Sequence, residues 1–152
     1  MLEFVSIIHY TLHIDRVNGV PGMVTGMVTI TDKDFSVDEI VGGMESPKIG
    51  AIIAYVGVVR GFSEGREVAG LEFDADQTAI AKIRELDRKA LEDFDVEDVS
   101  IVHRVGKLKV GDRLMLVAVS ASHRQSAFTA CMSIIDAVKV IHSAWGREYY
   151  IS

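Results

Sequence analysis

Cysteine is almost missing from this chain of 152 residues: Cys131 stands alone, so no internal disulfide can form. A reducing, cytoplasmic compartment is the expectation that follows. Proline occurs only at Pro21 and Pro47, each near a glycine, which marks turns and excludes a proline-rich linker. No run of ~18 uninterrupted apolar residues is present, so no membrane span is expected. The first residues, MLEFVSIIHYTLHID, carry an early acid and no basic start, unlike a secretory signal. Positive charge is also short. Sixteen Lys and Arg against 22 Asp and Glu give a net charge of −6, which argues against a general nucleic-acid binder. There is no GxxxxGK[ST] loop, no HExxH, no GxSxG and no paired CxxC. The histidines show no compact metal spacing, so no metal site is expected.

What is present is an ordinary globular composition, 49% hydrophobic and 25% charged, at the length of one domain. The charge is unevenly spread. Residues 103–152 hold seven Lys and Arg against three Asp and Glu, with His103, His123 and His142 among them. A local site for a small anion fits this better than a long basic track.

Residues 3–14 alternate as a strand, followed by turns at Asn18-Gly19 and Pro21-Gly22 and a second strand over 23–31. Ser36-Val37-Asp38-Glu39 is a capping box, predicting a short helix to about Met44. Residues 49–60, IGAIIAYVGVVR, are a nearly continuous apolar run and read as a strand buried on both faces. A flexible loop at 61–66 leads to a strand over 67–74. Ile80, Ile83, Leu86, Ala90, Leu91 and Phe94 mark one amphipathic helix over 77–94. Strands are expected at 98–105 and 113–121 around Val110-Gly111-Asp112. Ser122-His123-Arg124-Gln125 is a second capping box, opening a helix over 123–143, and a short strand closes the chain at 149–151. Strands and helices mix without regular βαβ alternation, so the class is α+β.

Two groups of residues could do chemistry. A cap at Ser122 places His123 and Arg124 on the first turn of a helix, where free N–H groups and the dipole favour an anion. The alternative is that Arg124 pairs with a carboxylate such as Glu72. At the other end, Lys139, His142, Trp145 and Arg147 cluster, with Lys139 and His142 three apart on one helix face. A lysine there can act as base or nucleophile, or can simply suit the helix dipole. Arg60 ends the apolar strand beside the 61–65 loop. Cys131, among Phe128, Ile134 and Ile135, reads as a buried hydrophobe. Fifteen residues separate Arg124 from Lys139, about 22 Å along a continuous helix. Either these are separate sites, or a symmetric dimer brings Arg124 of one chain to Lys139 of the other.

Taken together, the segments GAIIAYVGVVRG, LEFDA, VHRVGKLKVGD, VAVSASHRQSAF, IIDAVK and AWGRE resemble, in order, the molybdopterin synthase large (catalytic) subunit family, from about Val28 to Glu148. The resemblance implies an α/β-hammerhead fold with a mixed, mostly antiparallel sheet and two main helices. It implies a dimer of large subunits, each binding a ubiquitin-like small sulfur-carrier subunit with a C-terminal Gly-Gly thiocarboxylate. The reaction it implies is sulfur transfer to cyclic pyranopterin monophosphate, forming the molybdopterin dithiolene, with no cofactor and no metal. Lys139 falls at the family's catalytic lysine. Arg60, His123 and Arg124 fall at substrate-pocket positions, the last two reaching the site from the neighbouring subunit. Near the end the family reads F/W-K-K/R-E where this chain has Trp145-Gly146-Arg147-Glu148, so glycine stands where the family carries a second lysine, and Arg147 is the candidate to take its place. That departure leaves open a second reading, a catalytically weakened paralogue that acts as a carrier-binding or regulatory module. Residues 1–22 have no counterpart in the family pattern and read as an extension of the same domain, adding an extra strand; residues 23–152 form the synthase-like domain.

Overall fold

The computed structural model describes residues 25–151, so the expected strand at 3–14, its turns and the first two residues of the 23–31 strand lie outside the described residues. The elements run β1 (Thr25–Thr31), α1 (Val37–Gly42), β2 (Ala51–Val58), β3 (Phe62–Ser63), β4 (Arg66–Phe73), α2 (Gln77–Arg84), α3 (Leu86–Asp93), β5 (Asp98–Arg104), β6 (Gly106–Lys109), β7 (Arg113–Ala121), α4 (Arg124–Trp145) and β8 (Gly146–Tyr150). The class is α+β, as the mixed pattern requires.

One sheet has the order β1-β5-β7-β2, with β1 parallel to β5 and the other pairs antiparallel. Its two central strands are buried on both faces, and alternation divides their side chains. Val99 and Ile101 of β5, with Met115, Val117, Val119 and Ala121 of β7, join the main core with Ala127, Ala130, Cys131, Ile134, Val138 and Trp145 of α4. Val102, Leu116 and Ala118 face the opposite way, onto Met44 and the α1 side chains Val37 and Ile40. The second sheet is built on β4, which pairs with β3 at its start and with β6 and β8 along its length.

Several expectations need correction. The 49–60 strand is not buried on both faces. β2 pairs with β7 alone among the described strands, and Ala54 and Val58 are exposed. An apolar run reports that a strand touches a core, while its place in the sheet order sets how much is covered. The 61–66 loop is a tight hairpin: Glu64 (φ 50°) and Gly65 (φ 76°) both adopt left-handed backbone between Ser63 and Arg66, the geometry that matches strand twist. The single helix over 77–94 is two, broken at Glu85 (φ −86°, ψ −15°), and each half turns its own apolar residues inward, Ile80 and Ile83 in α2, Ala90 in α3. The closing strand starts at Gly146, earlier than expected, and β6 was not expected at all.

The two capping boxes fare differently. Ser36 Oγ accepts from the Glu39 N–H at 3.3 Å, as the motif demands. Ser122 does not cap α4. Its hydroxyl donates to the Lys48 carbonyl at 3.1 Å, and His123 occupies the N-cap without a side-chain hydrogen bond. A tertiary acceptor outcompetes the local one. By length and composition α4 could cross a membrane; one side of it packs into the core, while Phe128, Met132 and Val140 on it are exposed.

Candidate active site

The inward stripe of α4 continues past Val138 to His142 and Trp145, at the three- and four-residue spacing of a helix face. On β5 the inward positions Val99 and Ile101 continue to His103. The two histidines therefore meet in the core, Nε2 to Nε2 at 2.6 Å. His103 is fully buried, and its Nδ1 lies 2.7 Å from the Arg104 carbonyl. Phe73 and Trp145 complete an aromatic box, with Phe73 4.9 Å from His103 and 4.8 Å from both His142 and Trp145. The Trp145 indole N–H donates to the Asp74 carbonyl at 2.7 Å, which fixes the end of the helix against β4. Burial holds His103 down to about 3, with His142 adding to the effect. Burial and then the charge of Lys139 hold His142 down to about 4. Both rings are neutral at pH 7, so His142 places no second positive charge beside Lys139.

Above this box lies a cleft of about 310 Å³. Its walls include Tyr55 and Gly57 from β2, Arg60, Met115 from β7, Lys139 and His142 from α4, and Glu148 from β8. Arg60 and Lys139, far apart in sequence, thus line one space. The Tyr150 hydroxyl donates to Glu148 at 2.6 Å and holds its carboxyl below the usual range, and Arg60 acts in the same direction. Two cations face one carboxylate, which suits a bound anion.

The remaining candidates lie elsewhere. His123 and Arg124 are exposed at the N-terminal end of α4, and α4 is a continuous helix between Arg124 and Lys139. The ~22 Å separation expected from the sequence therefore holds within one chain. Glu72 is not the partner of Arg124. It accepts from Arg147 Nη2 at 3.1 Å and from the Tyr149 hydroxyl. Arg147 also donates to Asp74 at 3.1 Å. Strand alternation explains this: Arg147 lies across from Glu72 on β4, so its neighbour Glu148 turns to the other side, where the cleft is. Cys131 is buried, and burial pushes its thiol up to about 11, as befits a core residue. His103 and Glu148 are members of this region that sequence reasoning passed over. The signal for His103 was its inward parity with Val99 and Ile101.

A mixed sheet backed by one long helix, with a lysine-arginine cleft at the far end of that helix, defines an α+β protein with a candidate anion site. The family model described as MoaE protein matches residues 30–141, and the chain belongs to this family. A molybdopterin synthase catalytic subunit from Pyrococcus abyssi is 39% identical over 117 residues, covering 76% of this chain and 79% of the relative. The crystal structure of molybdopterin synthase from Staphylococcus aureus is similar with a TM-score of 0.69 at 25% identity, covering 81% of this chain and 90% of that one. A complex of subunits 1 and 2 of molybdopterin-converting factor from Helicobacter pylori shares the fold, with a TM-score of 0.59 at 19% identity, covering 82% and 90%.

Proposed function

We propose that this chain acts in molybdopterin biosynthesis as the large subunit of a synthase, transferring sulfur from a thiocarboxylated small subunit to cyclic pyranopterin monophosphate. The observation that carries the reading is that Lys139 and Arg60 line one cleft in a member of this family. The thiocarboxylate is anionic, and transfer calls for a group that can move a proton or form a transient adduct at its carbonyl. Lys139 is assigned that role. Arg60 holds an anionic group of the substrate with the fixed fork of a guanidinium. His123 and Arg124 serve the same pocket from a second copy, since one helix separates them from Lys139 within a chain. Arg147, expected from the sequence to bind substrate, is on the face of β8 opposite to Glu148 and is paired with Glu72 and Asp74, so it has no part in this cleft. A protein of the same fold solved as a complex of two subunits accords with a small-subunit partner.

The test is a synthase assay with purified thiocarboxylated carrier and precursor. Wild type turns over, Lys139→Ala does not while it still folds and dimerises, and Lys139→Arg is inactive because it keeps charge without an accessible neutral amine. Wild-type turnover in Lys139→Arg would reduce the lysine to a positive charge. A second reading, the weakened paralogue, draws on Gly146. A Cβ there would lie 2.8 Å from Phe73 Cε1, so this packing has no room for the family lysine without a shift of the ring. Carrier binding without any turnover in wild type would favour that reading.

A further inference from the structure

The buried histidine pair has no part in the roles assigned above, yet one of its rings lines the cleft. The Arg104 carbonyl can only accept, so His103 Nδ1 must carry a proton. The ring is neutral, which leaves its Nε2 bare. The 2.6 Å contact between the two Nε2 atoms then requires that His142 Nε2 carry the proton and donate it. His142 is neutral too, so its Nδ1 is bare. Only this arrangement of protons makes both hydrogen bonds with two neutral rings.

Around His142 in the cleft stand Arg60 and Lys139, which donate only, the phenol of Tyr55, and Glu148, a charged acceptor with one oxygen engaged by Tyr150. A charged donor pair beside a neutral imidazole acceptor matches a ligand that is anionic at one point and carries an N–H or O–H at another. We infer that His142 is a specificity-determining residue of the cleft, offering bare Nδ1 as a fixed acceptor to a ring N–H or O–H of the bound anion, and that His103 is a positioning residue that sets this tautomer. The inference rests on the proposed function for its ligand: a reduced pterin carries ring N–H groups next to an anionic phosphate.

The tautomers are read by ¹⁵N-histidine NMR on the full chain at pH 7. The expected spectrum has His142 protonated on Nε2 and bare on Nδ1, with His103 the reverse. His142 protonated on Nδ1, or on both nitrogens, overturns the assignment. The second arm measures binding of cyclic pyranopterin monophosphate and of inorganic phosphate to wild type and to His142→Leu. Leucine presents no acceptor to the cleft, and retained phosphate binding shows that the fold and the cation pair persist. The expected result is about a tenfold weaker precursor affinity, the scale of one hydrogen bond, with phosphate affinity unchanged. Unchanged precursor affinity, or an equal loss for both ligands, overturns the role. A wild type with the expected tautomers that binds no precursor defeats the proposed function instead and leaves the acceptor assignment supported by the spectrum.

Discussion

Replacing Gly146 by alanine is a sharp test of how the end of the chain is packed. The backbone itself has no objection, since φ −80° and ψ 148° suit any residue. The obstacle is Phe73, directly across on β4, whose other cross-strand neighbour is also a glycine, Gly106. An added Cβ would sit 2.8 Å from Cε1 and 3.0 Å from Cζ of a ring that is 1% exposed. Carbon atoms in contact settle at ~3.5 Å or more, so the ring must retreat by roughly 0.7 Å. Behind it stand His103, His142 and Trp145, with centroids 4.8–4.9 Å away. Overpacking of this kind costs about 1–3 kcal/mol. The smaller entropy of the unfolded alanine chain offsets about 0.4–1 kcal/mol of it. A net loss of about 1–2 kcal/mol lowers Tm by roughly 2–8 °C for a chain of this size. Thermal unfolding followed by circular dichroism measures it. Gly42→Ala is the control, because nothing lies within 4 Å of its Cβ position at the exposed end of α1, and it should be neutral or stabilising. A Gly146→Ala protein as stable as wild type would refute the argument. Phe73→Leu in the Gly146→Ala background should recover part of the loss, because leucine leaves the space that the ring edge fills.

Folding moves both buried histidines down from their ordinary value, so the unfolded chain binds more protons than the native one below about pH 6.5. Stability is therefore full above that pH and declines as pH falls toward about 4 and then about 3. Urea midpoints between pH 6.5 and 5, before most carboxylates titrate, should fall in wild type and stay flatter in a His103→Phe/His142→Leu variant. Arg124→Ala should weaken binding of the pterin precursor about tenfold or more while carrier binding is nearly intact, measured by calorimetry on each ligand. Equal precursor affinity would remove Arg124 from the site. Cys131, buried with its thiol raised to about 11, should resist iodoacetamide in the native protein and react after unfolding.

Periodicity and local chemistry alone determined much of this protein. The strand at 113–121, the helix over 123–143 and the Ser36 capping box each rest on interactions within a few residues, and each survives in the fold. So does the fifteen-residue separation of Arg124 and Lys139, because helix rise is fixed by the backbone. What the tertiary structure decided is non-local. Whether IGAIIAYVGVVR lies at the centre or the edge of a sheet depends on which strands flank it, and its apolar run reads the same in both places. Ser122 could cap α4 or donate to Lys48, and the choice belongs to a carbonyl 74 positions away. The cleft joins Arg60 to Lys139, and the core joins His103 to His142, across separations that no window of sequence spans. Strand parity fixed which way His103 points, and helix spacing fixed which way His142 points. Only the packing of α4 on β7 and β2, with β5 beside β7, brought those two directions to one place.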